Sequence, residues 1–225
     1  MIIGKVEAVL VGRVAALGEA AESGIDKHPV SGPVTAETLG LVGDQQADLR
    51  VHGGPDKAVH VYPAAHYAFW QTQVDSPLLA RPGAFGENLS VSGLVESDVC
   101  FGDVWQIGSA RFEVSQGRQP CWKLNLRFGV ADMAQQVQNS LKVGWYLRVL
   151  EPGNVQAGDE VELLARPYPD WSIERIMRVF YRDGLNVSEL EALLALPLPS
   201  SWHRTLQKRL ASGELENWQP RLFGR

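Results

Sequence analysis

Only two cysteines, Cys100 and Cys121, occur in the 225 residues. That is too few for a disulfide framework and fits a reducing compartment better than a secreted one. A basic excess is missing too. The formal charge is −5 at pH 7, whereas a chain gripping nucleic acid mainly through phosphates carries a positive surplus. No window approaches the roughly 18 apolar residues needed to cross a bilayer. At the N-terminus Lys5 and Glu7 stand where a signal peptide is apolar, and no cleavage pattern follows. A cytoplasmic chain with no membrane segment is expected.

Widespread catalytic motifs are absent as well. The Gly4-Lys5 pair is followed by Val6 and makes no P-loop, and Gly-x-Ser-x-Gly, His-Glu-x-x-His and Cys-x-x-Cys do not occur. These gaps remove common nucleotide hydrolases, α/β-hydrolases, zincins and dithiol redox proteins as default readings.

What is present is an ordinary globular composition, 45% apolar and 21% charged, in a chain long enough for one large or two small domains. Residues 1 to 167 hold short β-branched runs punctuated by glycine turns: Val6–Val11, Ala58–Tyr62, Val104–Ile107, Phe112–Val114, Trp145–Leu150 and Glu160–Leu164. Such spacing predicts a mostly-β barrel or sandwich. Two helices are predicted within it, over Ala64–Val74 and from Asp132 through Leu141. From residue 168 to 225 the period changes and predicts three short helices. The first carries Ile173, Ile176, Met177, Phe180 and Tyr181 and closes at Gly184. A second is opened by a Ser188/Glu191 capping box and ended by Pro197, and the third runs from Ser200 to Gly213 with Trp202, Leu206 and Leu210 on one face. These helices are expected to pack on the barrel or on a second copy in a homodimer, because some 55 residues are marginal alone.

Chemistry concentrates in a few segments. In Ser115–Arg127 a strand runs into Gly117, Pro120 holds Gln119 extended, and Cys121 is expected at a turn between Arg118 and Lys123. Beyond it Trp122, Leu124, Leu126 and Phe128 alternate with Lys123, Asn125 and Arg127, as in an extended segment. A cysteine flanked by cations is partly thiolate, the nucleophilic and metal-binding form. On the residues alone, a buried structural cysteine beside surface cations stays equally open. Cys100, between Val99 and Phe101, reads as core. Three further loops join glycines to polar or basic residues: Ser23–Pro29 with Lys27, Gly40–Val59 with Arg50, His52, Gly53, Gly54 and Lys57, and Gly83–Leu89 with Glu87 and Asn88. Each alone reads as a turn. Together in one β domain they suit a shared anionic ligand.

In their order along the chain these stretches, with the Arg118-x-Pro-Cys121 core, resemble the MOSC domain family (molybdenum cofactor sulfurase C-terminal domain) and its YiiM-like subgroup. The resemblance implies a β-barrel that binds a pterin-based molybdenum cofactor, with Cys121 as the protein ligand to the metal. Lys27, Arg50, His52, Lys57, Arg118 and Lys123 are then the cations expected around the cofactor's phosphate, Asn88 a neutral partner, and Arg118 the first choice for a bidentate contact. It further implies reduction of N-hydroxylated compounds, notably purine base analogues such as 6-N-hydroxylaminopurine, with electrons from a separate flavoprotein reductase. A second reading from another class is a carrier of the cofactor or of a persulfide on Cys121, without turnover of its own. A nucleic-acid module in the tail is disfavoured by its 8 basic against 7 acidic residues from Asp170 onward.

Overall fold

The structure, a computed structural model, describes residues 1–19, 21–48 and 53–224. Its strands are β1 (Ile2–Val11), β2 (Ala15–Leu17), β3 (Ala21–Ser23), β4 (His28–Pro29), β5 (Val34–Glu37), β6 (Gly40–Leu41), β7 (Val59–Pro63), β8 (Leu89–Ser92), β9 (Val104–Ile107), β10 (Ala110–Gly117), β11 (Trp145–Glu151), β12 (Gly153–Val155) and β13 (Glu160–Ala165). Helices are α1 (Ala65–Gln73), α2 (Lys123–Phe128), α3 (Met133–Ser140), α4 (Ile173–Tyr181), α5 (Val187–Leu194), α6 (Ser200–Ser212) and α7 (Gln219–Phe223).

Seven strands close into a barrel in the order β13-β9-β10-β11-β7-β8-β1, with β1 returning to pair with β13. A ring of seven cannot alternate in direction all the way round. The parallel junction is β7 with β8, in register Val61↔Leu89 and Tyr62↔Ser90. It needs a crossover connection, which α1 supplies. Inward-facing positions fill the interior with Val6, Val9, Val61, Leu89, Val91, Ile107, Phe112, Val114 and Leu147, and with Trp105 and Trp145 packed edge to face at 6.0 Å.

Past β13 the chain turns into helices whose apolar faces return to the barrel. Ser172 caps α4 by accepting from the Arg175 amide. The close approach of α4 requires Gly117, since a Cβ there would stand 2.4 Å from Met177 Sδ. Phe180 and Trp202 join α4 to α6, with ring centroids 4.5 Å apart.

Three expectations are corrected. The segment after Cys121 is the helix α2 and not extended chain; Leu124 and Phe128, four residues apart, form its buried side. Asn186, not Ser188, caps α5, its side chain accepting from the Glu189 amide. The tail holds a fourth helix, α7, too short and too broken by Pro220 to give a periodic signal.

Candidate functional site

Cys121 follows the irregular stretch that leaves β10. The Arg118 amide donates to Gly144 O at 3.0 Å and so keeps the start of this stretch against the approach to β11. Cys121 is partly exposed, while Cys100 is buried with its Sγ 3.4 Å from Pro169 O.

The cleft onto which Cys121 opens contains about 590 Å³ including its mouth. Five separated segments line it: Ser23–Lys27 without Asp26, Gln45–Ala47, Lys57 with His60, Phe85 to Asn88 without Glu87, and Arg118, Cys121 and Lys123, with Tyr146 from β11. Lys27, Lys57, Asn88, Arg118, Cys121 and Lys123 are thus brought together from across the chain. Arg50 and His52 lie outside the described residues. Among the described lining residues there are four cations and no carboxylate.

Those cations are not equivalent. Lys27 is buried and forms an ion pair with Asp44, itself fully buried and further held by the Gly12 amide at 2.8 Å. Burial lowers the Lys27 pKa, and Asp44 and then Glu87 partly offset this. Lys57 ends the 3-10 turn Pro55–Lys57, which is anchored through Asp56. Arg148 reaches Asp56 Oδ1 with Nε at 2.9 Å and Nη2 at 2.6 Å, and Ser115 Oγ donates to Asp56 O at 2.5 Å. Burial lowers the Lys57 pKa too, opposed by Cys121 and Asp56, so lysine and cysteine are within electrostatic reach of each other. Lys123 Nζ donates to Glu22 O at 2.9 Å at the edge of the cleft.

Arg118 is only 5% exposed, and its Nη1 has no hydrogen-bond partner. No carboxylate pairs with it among the described residues. A buried guanidinium nitrogen left in this state costs free energy that an incoming anion would remove. Beside it stands Tyr146, whose hydroxyl burial shifts to higher pKa while Arg118 opposes the shift.

Asn88 lines the cleft but is spent on the scaffold. Its Oδ1 accepts from the His60 amide at 3.1 Å and its Nδ2 donates to Leu10 O at 3.2 Å, tying β7 to β1. The glycine loop ahead of it is built around the buried Glu87 carboxylate, which accepts from the Gly83 amide at 2.7 Å, the Phe85 amide at 3.1 Å and the Tyr67 hydroxyl. Gly83 and Gly86 have φ of +105° and +75°, and a Cβ on Gly86 would stand 2.7 Å from Ile25, so glycine lets the two loops touch. Arg127 fastens both, donating to Gly83 O and Ala84 O at 2.9 and 2.8 Å and to Asp26 at 3.0 Å.

His60, Tyr146 and Asp44 were not anticipated from the sequence. His60 is buried, and burial, then Arg118, hold its pKa well below the usual imidazole range. The signal was available in Val59-His-Val-Tyr-Pro63, where a lone imidazole interrupts a strand whose every residue is buried.

No cluster of three or more His, Cys, Asp or Glu side chains suited to a metal occurs among the described residues. One cysteine in a cationic cleft therefore suits a soft metal that brings most of its own ligands and is attached to an anion. The donor set present fits a molybdenum–pterin group of that description.

Comparison with known proteins shows the family. The MOSC domain model matches residues 48–162, and the model of the YiiM-like 3-alpha helix domain matches residues 171–213. The chain is 41% identical over 220 residues to Protein YiiM of Escherichia coli (strain K12), covering 96% of this chain and 97% of that protein. It is 36% identical over 208 residues to a protein named Reductase from Gibberella moniliformis, covering 91% of this chain but 37% of that one. The crystal structure of YiiM from Geobacillus stearothermophilus superposes with a TM-score of 0.79 at 33% identity, covering 92% of this chain and 99% of the other. The chain belongs to the MOSC domain family, in the branch that carries the YiiM-like helical domain.

Proposed function

We propose that this protein is a molybdenum-cofactor-dependent reductase of N-hydroxylated compounds, purine base analogues such as 6-N-hydroxylaminopurine among them. The observation that carries the reading is the pairing, in one cleft with no carboxylate among its described lining residues, of Cys121 with the buried guanidinium of Arg118, whose Nη1 has no hydrogen-bond partner. The MOSC family is associated with molybdenum cofactor binding, and the fungal relative's name supports reductive chemistry.

The net conversion is R–NHOH + 2 e⁻ + 2 H⁺ → R–NH₂ + H₂O. The cofactor, when bound, supplies two-electron oxygen-atom transfer. Cys121 would hold the metal through its thiolate. Arg118 and Lys57 would hold the phosphate, the first as a fork and the second as a point charge. Lys27, already paired with Asp44, shapes the wall between them. His60, kept neutral, adds no further positive charge to the cleft. A separate flavoprotein reductase delivers the electrons.

The test is molybdenum content and turnover of 6-N-hydroxylaminopurine with a chemical or flavoprotein reductant, on protein from a host that makes the cofactor. Stoichiometric metal with turnover is expected. Cys121→Ser should abolish turnover with little change in Tm, because an alcohol is a poor substitute for a soft thiolate ligand. Cys100→Ala should cost on the order of 1 kcal/mol of stability and retain turnover. Bound cofactor with no turnover would favour the carrier instead, and near-normal turnover in Cys121→Ser with molybdenum in place would overturn the role of the thiolate.

A further inference from the structure

The residues on either side of Cys121 are both held by a single residue a hundred positions away. Arg221 Nη1 donates to Pro120 O at 2.6 Å. The Trp122 amide donates to Arg221 O at 2.8 Å. The remaining guanidinium arm is fixed by donation from Nη2 to Gln138 Oε1 at 2.6 Å, and the group lies 5.5 Å from the centroid of the Tyr181 ring. The rest of α7 continues the grip. Asn125 Nδ2 donates to Leu222 O at 2.8 Å, and a Cβ at Gly224, where φ is +73°, would stand 3.1 Å from the Trp122 ring. Leu222 is buried.

This arrangement calls for explanation. Among the described residues Arg221 has no carboxylate partner, so its charge is spent on a backbone carbonyl and a carboxamide. Hydrogen bonds from a charged donor are about twice as strong as neutral ones. From a helix of five residues with little stability of its own, one of them goes to the stretch that carries the sulfur and the other fastens the same side chain to α3. The tail is thereby joined to the cleft at the residue where a metal ligand must be placed to a fraction of an ångström.

We infer that Arg221 is a positioning residue for Cys121, and that α7 is a working part of the site. The consequence for metal retention rests on the reading of Cys121 as the ligand; the setting of the thiol does not. Without the guanidinium, Pro120 O loses its donor, α7 loses its fastening to Gln138, and the Cys121 segment opens more often. The sulfur then meets reagents more often and holds a metal less firmly.

The test uses the full chain free of cofactor and follows iodoacetamide modification of the two thiols by mass spectrometry across pH 6 to 9. Cys100 is 3% exposed and serves as the internal reference for general loosening. In Arg221→Ala, Cys121 should react about tenfold faster or more, the change that a lost charge-assisted hydrogen bond brings to a local opening equilibrium. Cys100 should stay protected. Arg221→Lys, which keeps one donor for Pro120 O, should restore much of the native rate. Gln138→Ala, which removes the second anchor but leaves the contact to Pro120, should accelerate Cys121 by less than Arg221→Ala does. Native reactivity in Arg221→Ala, or equal acceleration of Cys100 and Cys121 in both the Ala and Lys variants, would overturn the inference. Because the chain carries no metal here, the outcome stands whether or not the reductase reading does. Failure of turnover with the Cys121 rate responding as expected would count against that reading alone.

Discussion

Lys27 and Asp44 form a buried ion pair in the wall of the cleft, 17 positions apart in sequence, while Arg118, equally buried, has no carboxylate to answer it among the described residues. The two cations are therefore opposite cases. The charge of Lys27 is part of the fold. That of Arg118 is left available for something that binds.

Substitution should separate them. Lys27→Ala strands the Asp44 carboxylate in the interior and is expected to cost about 3–5 kcal/mol, as breaking a buried pair does. Arg118→Met removes a buried cation that has no anion of its own among the described residues and should leave stability unchanged or raised. Yet it should lower the amount of molybdenum retained by about tenfold or more, the loss of one charge-assisted contact. Chemical denaturation and metal content on the two purified variants decide it. A full molybdenum complement in Arg118→Met would remove the guanidinium from the anion site.

Lys57 supplies a pH dependence. Burial holds its pKa below the ordinary 10.5 of lysine, with Cys121 and Asp56 opposing. Its charge is consequently lost at lower pH than that of a surface lysine. If Lys57 holds the phosphate, retention of the cofactor on dialysis should weaken as pH rises through the alkaline range, starting below 10.5. Lys57→Arg should move that loss upward, since a guanidinium stays charged there. Superimposable retention profiles for the two proteins would show that Lys57 does not make the contact.

How far the sequence disclosed all this differs from element to element. Val104–Ile107 stands out as a short, mostly apolar run between two glycine turns, and the strand β9 has those same limits. The strand β8, Leu89-Ser-Val-Ser92, does alternate apolar residues with serine, but four residues are too few for a period of 2 to stand out, and Ser90 is buried with its neighbours. In α2 the order Leu124, Leu126, Phe128 imitates a strand. Six residues are too few for a period of 3.6 to stand out against a period of 2. Cys121, Arg118 and Lys57 were visible as chemistry, since a cysteine between cations and a basic residue after paired glycines are local patterns. Asp44 as the partner of Lys27, and Arg221 as the anchor of Pro120, were not. Both depend on chain segments that only the closed barrel and its tail bring together.

His60 supplies a second pH dependence, and its ring lies 5.1 Å from that of Tyr146. Burial, then Arg118, and more weakly Lys27 depress its pKa well below the ordinary 6.5, with the Gly86 and Val143 backbone opposing. The folded chain thus keeps the imidazole neutral where the unfolded chain takes up a proton. Stability must fall as pH drops below about 6.5, at up to about 1.4 kcal/mol per pH unit from this group, until the folded-state pKa is reached. Above 6.5 neither state binds the proton and the contribution is flat. Carboxylates also titrate toward the acid end, so the informative quantity is the difference between the native chain and His60→Gln, which has nothing to protonate. Urea denaturation of both between pH 5 and 8 should give curves that run parallel above 6.5 and diverge below it, with the native chain the more acid-sensitive. Parallel curves throughout would mean that His60 gains its proton in the folded state as readily as in the unfolded one, and the neutral imidazole beside Arg118 would have to be abandoned.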